Sequence, residues 1–346
     1  MNRMWMILCA LLAVAGCSDD AADADDASTA DAPEVTPPVG YMPDADPQAL
    51  GPLSVGVTSR QIDHTGIDGQ PRPLDLVIWY PTEADGDVDP DLGAIVEAPL
   101  AEGAPFPTIA FSHGQGAEPN QSRYQVAHLA SHGFVVIAPG HPGSLFSECM
   151  FSCAPNFPVS AANRPAEIVA AVDAIIAEAL SAGGPLHGAV DEARMGVIGH
   201  SFGGYTTLGV MGGDSRDRFQ AGVAMAPVAN AGPTANITAP FMVMAAELDA
   251  TVRMPSPRGT YEALTTDPRY YLWFANGGHY AYNDICVAGC STPDALDQDL
   301  AHELVNTYAT AFLQVHVGGA EPSELLEADA DIADGEARLE VGELTF

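Results

Sequence analysis

Lysine is absent from all 346 residues. Twelve arginines stand against 46 aspartates and glutamates, which gives a formal net charge of −34 and a sequence pI near 4.2. The excess is not confined to the ends, since residues 51–318 hold 28 acidic and ten basic side chains. A field of this sign repels a polyanion and argues against nucleic acid as a partner. Long apolar runs are missing too. The longest, Met4 to Ala15, falls short of the ~20 residues that a permanent membrane span needs. Cysteine is scarce, at six residues, and its spacings are not those of a common zinc site, so no metal is expected.

What is present at the start of the chain has its own meaning. Arg3 precedes the apolar run, and Val14-Ala15-Gly16-Cys17 closes it. That pattern resembles a bacterial lipobox, which implies a signal peptide over 1–16, cleavage before Cys17 and lipidation there. The resemblance implies attachment to a membrane through the lipid, with Ser18 favouring the outer membrane or cell surface. Residues 18–50 then carry nine acidic side chains and no basic one, with much Ala, Pro, Ser and Thr. A stretch of this kind has too little apolar surface to fold, so 17–50 is expected to be an extended acidic tether. The remainder, 51–346, has the length of one large domain with an acidic C-terminal extension. Cys149, Cys153, Cys286 and Cys290 lie within it, and an exported chain with four thiols is expected to form two disulfides. The C-x-x-x-C spacings favour local pairs, Cys149 with Cys153 and Cys286 with Cys290; the other two connectivities stay open.

Short apolar runs alternate with helical stretches through the domain. Strands are expected at 74–80, 108–112, 134–138, 195–199, 222–226, 241–246 and 270–275, several without polar alternation, as in strands covered on both faces. Helices are expected at 121–132, 164–182, 202–211, 258–265 and 294–315. The order implies an α/β class with a doubly wound, mainly parallel sheet. The first two runs, near 53–58 and 74–80, have no helix between them and predict an antiparallel hairpin at one edge.

The strand at 195–199 turns into a helix through Gly199-His200-Ser201-Phe202-Gly203-Gly204. This is the G-x-S-x-G pattern of a nucleophile elbow, in which flanking glycines permit a turn too sharp for side chains. Ser201 is the expected nucleophile, and the helix start at Phe202 favours the negative charge formed on attack. A serine hydroxyl needs a base to take its proton. In this motif's fold the order is serine, acid, histidine, each at the carboxyl end of a strand. His279, directly after the last strand, fits. His302 and His316 fall in a helical pattern, and His113, His141 and His200 precede the serine. The acid should follow the strand at 241–246, where Asp249 is chosen over Glu247; Asp284 is a further carboxylate that could approach His279. An oxyanion hole needs two N–H donors. Phe202 supplies one, and the glycine-rich segment Ser112-His113-Gly114-Gln115-Gly116 supplies the other, assigned to Gln115.

Phe111-Ser112-His113-Gly114, Leu129 to Val136, the elbow and His279 to Asp284 together resemble the bacterial platelet-activating-factor acetylhydrolase and dienelactone-hydrolase-like branch of the α/β-hydrolases. The likeness runs from about Leu74 to Asp284. Ser131-His132-Gly133-Phe134 and Gly199-His200-Ser201 also resemble cutinases and polyester hydrolases. The resemblance implies an α/β-hydrolase fold, a Ser201, Asp249, His279 triad, an oxyanion hole at Gln115 and Phe202, and no cofactor. Dienelactone hydrolases proper use cysteine where this chain has Ser201. The expected activity is hydrolysis of small-molecule or polymeric carboxylic esters, with substrate choice set by the loops at 140–163 and 280–292. A catalytically silent binding protein on the same fold is the alternative from another class.

Overall fold

A computed structural model describes residues 41–42, 44–149, 156–285 and 295–342. All of them belong to one compact unit, Pro37–Phe346. The expected signal peptide, Cys17 and most of the tether lie outside the described residues, as do Cys153, Cys286 and Cys290.

An eleven-stranded sheet forms the centre, in the order β10-β11-β9-β8-β7-β6-β4-β5-β2-β1-β3. Its strands are β1 (Ser54–Ile62), β2 (Leu74–Thr82), β3 (Ile95–Val96), β4 (Phe106–Ser112), β5 (Val135–Pro139), β6 (Val190–His200), β7 (Ala221–Met225), β8 (Phe241–Ala246), β9 (Arg269–Phe274), β10 (Ala330–Ile332) and β11 (Ala337–Gly342). From β5 through β4, β6, β7 and β8 to β9 every neighbour is parallel. The protein is an α/β-hydrolase fold with a mainly parallel sheet. Strands β4, β5, β7 and β8 are buried at every position, the condition their unbroken apolar sequences require. The expected hairpin is present, with β1 antiparallel to β2. β2 is itself antiparallel to β5.

The helices are α1 (Arg123–Ser131), α2 (Phe146–Cys149), α3 (Phe157–Leu180), α4 (Phe202–Met211), α5 (Ala231–Thr234), α6 (Pro255–Ala263) and α7 (Gln298–Leu313). α1 packs with α7, while α3 packs with α4, α4 with α5 and α5 with α6. α3 starts well before the expected residue 164. Pro165 reads as a helix start, because proline suits the first turn, yet the helix runs through it at the expense of one backbone hydrogen bond. α7 starts at Gln298 because the Asp297 carboxylate accepts from the N–H groups of Asp299 and Leu300.

Two features depart from the expected organisation. The C-terminal extension is not merely an acidic tail: β11 adds antiparallel to β9 and β10 pairs with β11, giving a second antiparallel edge. β10 has three residues and β11, Ala-Arg-Leu-Glu-Val-Gly, alternates apolar and polar positions over only six, too short a pattern to stand out beside the acidic stretch around it. The domain also begins before residue 51. Tyr41 is buried and meets Phe134 edge-on at 5.5 Å between ring centroids, with the Arg194 guanidinium over its ring at 5.6 Å. Carbonyls of this segment accept from core-side donors, Ala45 from Gln314 at 2.9 Å, Pro47 from His128 and Ala49 from His132, both at 3.0 Å. One aromatic ring thus fastens residues of tether-like composition. Tyr41→Ala should lower unfolding free energy by about 3 kcal/mol, in the range for deleting a buried aromatic. Tyr41→Phe should cost little, since the buried hydroxyl has no partner among the described residues. Urea unfolding of the two variants measures the difference.

Candidate active site

The elbow is built from the end of β6, Ser201 and the start of α4. Ser201 has φ 56° and ψ −113°, a conformation strained for a side-chain-bearing residue. It is held there because the Ser201 N–H donates to the Met225 carbonyl at 2.8 Å, while Tyr205 and Val228 N–H groups donate to its own carbonyl. Gly203 is required by space. A Cβ there would lie 1.8 Å from the Ser112 carbonyl oxygen, and one on Gly199 would lie 2.4 Å from the Gly203 oxygen. The close approach of the elbow to the end of β4 is what brings Ser201 beside the Gly114 loop.

Ser201 Oγ lies 3.0 Å from His279 Nε2, and His279 Nδ1 lies 2.7 Å from Asp249 Oδ2. The three residues are 4 to 7 % exposed. The other Asp249 oxygen, Oδ1, accepts from the Thr251 and Val252 N–H groups at 2.8 and 2.7 Å. With the carboxylate fixed from behind, His279 Nδ1 must donate to it, which leaves Nε2 as acceptor facing the serine hydroxyl. This is the arrangement needed to take the Ser201 proton.

Glu247, the rival acid, is exposed and accepts from the Asn276 N–H at 3.1 Å, fixing the turn rather than the imidazole. Asp284 does not stand by His279. Its carboxylate accepts from the Arg123 and Tyr124 N–H groups at the start of α1, so it caps that helix. His302 stacks on Tyr124 with centroids 3.7 Å apart, and His316 lies 3.3 Å from the Tyr270 hydroxyl. Among the described residues the expected oxyanion donors remain available: no described residue accepts from the Gln115 N–H, and Phe202 opens α4, where first-turn N–H groups have no helical acceptor.

Behind the site is a buried polar cluster that sequence reasoning missed. Arg164, on α3, donates to the His113 carbonyl, to Ser112 Oγ at 3.3 Å and from Nε to Thr206 Oγ1 at 3.0 Å, and its guanidinium lies 4.5 Å over the Phe202 ring. Burial lowers its pKa to about 9. His141 Nε2 meets Ser112 Oγ at 3.0 Å and its Nδ1 meets Glu167 at 2.7 Å; Glu167 in turn pairs with Arg72. Burial, reinforced by Arg164, pushes both His113 and His141 well below the ordinary histidine range. The signal was an arginine and a glutamate at i, i+3 in the apolar face of a helix, where a charge has to find a partner. No group of three or more His, Cys, Asp or Glu side chains suited to a metal occurs among the described residues.

Residues 92–288, which hold the elbow, both candidate partners and the Gly114 loop, match the family described as PET hydrolase-like, and they make up more than half of the chain. The chain belongs to the PET hydrolase-like family. Two curated relatives are similar to this PET hydrolase-like chain. Cutinase est1 of Thermobifida alba is 27% identical over 180 residues, 51% of this chain and 55% of the relative. The platelet-activating factor acetylhydrolase of Cavia porcellus is 25% identical over 265 residues, 64% of this chain and 60% of the relative. The chain thus spans between 55% and 60% of the length of these relatives.

Proposed function

We propose that the protein is a serine esterase that cleaves carboxylic esters through an acyl-enzyme. The observation that carries this reading is the unbroken line from Ser201 Oγ through His279 to Asp249, at 3.0 and 2.7 Å. In the first step Ser201 Oγ attacks the ester carbonyl carbon while its proton passes to His279 Nε2. The carbonyl oxygen becomes an oxyanion facing the Gln115 and Phe202 N–H groups. Collapse of the tetrahedral intermediate expels the alcohol, which takes the proton back from His279. Water then attacks the acyl-enzyme by the same route and releases the acid. Asp249 keeps the imidazole in the required tautomer and stabilises its charged form.

Polyester chains are the second substrate reading, supported by the PET hydrolase-like family and by the cutinase likeness. Short acyl or phospholipid-type esters are supported by the acetylhydrolase likeness. For the wider protein, the proposal is an exported lipoprotein anchored through Cys17, with disulfides bordering the site. Cys149, at the end of α2, is one of the proposed disulfide cysteines, and Gln115 Nε2 lies 3.6 Å from its sulfur. A fluorophosphonate probe should label the native chain at Ser201, and a panel of esters graded by acyl length, with a polyester film beside it, ranks the substrates. Absence of both labelling and turnover would refute the reading and favour the silent binding protein.

A further inference from the structure

We infer that Gln121 is a positioning residue for the reaction proposed above, linking the oxyanion loop to the loop that carries His279 by way of a neutral His200. The inference rests on the esterase reading.

Gln121 stands just before α1, and its carboxamide is fully used. Oε1 accepts from the Gly114 N–H at 2.6 Å. Nε2 lies 2.5 Å from Asn283 Oδ1 and 2.7 Å from His200 Nδ1. Gly114 N–H can only donate and Asn283 Oδ1 can only accept, so the orientation of the Gln121 amide is fixed at both ends. His200 Nδ1 must then be an acceptor, which puts the His200 proton on Nε2. That nitrogen lies 3.1 Å from the main-chain oxygen of His279 and donates to it. A neutral ring is required for this, and burial, with the adjacent His279, holds the His200 pKa well below its ordinary value. The main-chain carbonyl of Gln121 adds a further hold, accepting from the Asp284 N–H at 3.1 Å.

One side chain therefore touches the three segments whose mutual placement the reaction needs. Gly114 belongs to the loop that presents the Gln115 N–H, His200 precedes the nucleophile, and Asn283 follows the base. The Gly114 loop has other holds, among them the Gly116 N–H donating to the Ser144 carbonyl at 2.8 Å and Ser144 Oγ donating to Gln115 Oε1 at 3.4 Å, on the side away from His279. The His113 carbonyl accepts from Arg164, and the Gly114 carbonyl accepts from His113 Nδ1 at 2.7 Å. These contacts orient the peptide that ends in the Gln115 N–H, but they do not reach the His279 loop. Gln121 does, so it sets the spacing between the oxyanion donor and the imidazole, a dimension that matters most when the oxyanion and imidazolium are both present.

The test compares native protein with Gln121→Met and Gln121→Glu, after confirming that a fluorophosphonate labels the native chain. Gln121→Met matches the side chain in size and makes none of the three bonds. It should lower kcat about 10- to 100-fold, less than the ~10²–10³ of losing a donor outright, with KM within about twofold. Affinity for a trifluoromethyl ketone, whose hemiketal oxygen occupies the oxyanion position, should fall by a similar factor. Gln121→Glu keeps the acceptor for Gly114 and loses both donors, so its kcat should lie between the other two. It also serves if the methionine variant does not fold. In 15N NMR, His200 should show the neutral Nε2–H form in native protein and lose that single form in Gln121→Glu. A native-like kcat and inhibitor affinity in both variants, whatever their melting temperatures, would overturn the inference. A native chain that neither labels nor turns over ester would instead overturn the esterase reading.

Discussion

Ser201→Ala is expected to reduce ester turnover by a factor on the order of 10⁶, the scale seen when a serine-hydrolase nucleophile is removed. Loss on this scale follows because the substitution deletes the oxygen that lies 3.0 Å from His279 Nε2. Folding should survive. The residue keeps its β-carbon, and the elbow is held by main-chain bonds to Met225, Tyr205 and Val228 that the hydroxyl does not enter. Turnover of a p-nitrophenyl ester, read beside a thermal melt of the same sample, separates the two effects. A variant that still hydrolyses ester at a near-native rate would remove Ser201 from the mechanism.

Asp249→Asn should be nearly as damaging, lowering kcat by about 10⁴-fold with little change in stability. The reason lies in the side of the carboxylate turned away from His279. Oδ1 accepts from two backbone N–H groups, so an asparagine keeps its oxygen there and turns its amino group to His279 Nδ1. The imidazole is then forced to accept at Nδ1 and carry its proton on Nε2, where it cannot receive the serine proton. Glu247→Gln, which alters only an exposed carboxylate holding the Asn276 N–H, should change kcat by no more than about threefold. If Glu247→Gln were the more harmful of the pair, the acid would have to be reassigned.

The parts of this fold that were legible in the sequence are those whose signal is local. Strands β4, β5, β7 and β8 are continuous apolar runs, and Ser201 sits among glycines that only a tight turn explains. His279 and Asp249 could be chosen because each follows a strand, and the structure brings His279 to Ser201 and Asp249 to His279. What escaped notice depends on contacts distant in sequence. Gln121 and His200 are 79 residues apart, and Arg164 and His113 are 51 apart. Polar residues of this kind look like ordinary surface until the fold buries them. Tyr41 escaped for the opposite reason: a single aromatic within an acidic, Pro- and Ala-rich stretch gives no periodicity to read, yet its burial moves the start of the domain. Asp284, a carboxylate that could have approached the imidazole, instead serves α1, because distance along the chain from His279 is a poor guide across a turn.

The way the sheet ends at its two margins bears on how the protein behaves in concentrated solution. β3 offers two residues and β10 three; β10 pairs with half of β11, whereas β3 covers the nine-residue β1 only at Gly56 and Val57. At the β10 margin a neighbouring molecule looking for a strand to lengthen finds a short template, and Asp331 in the middle of β10 places a charge where it would dock. Copies carrying a formal charge of −34 also repel one another at a distance. Removing the last strands would uncover β9, a six-residue strand of Arg-Tyr-Tyr-Leu-Trp-Phe, and turn a blunt margin into an adhesive one.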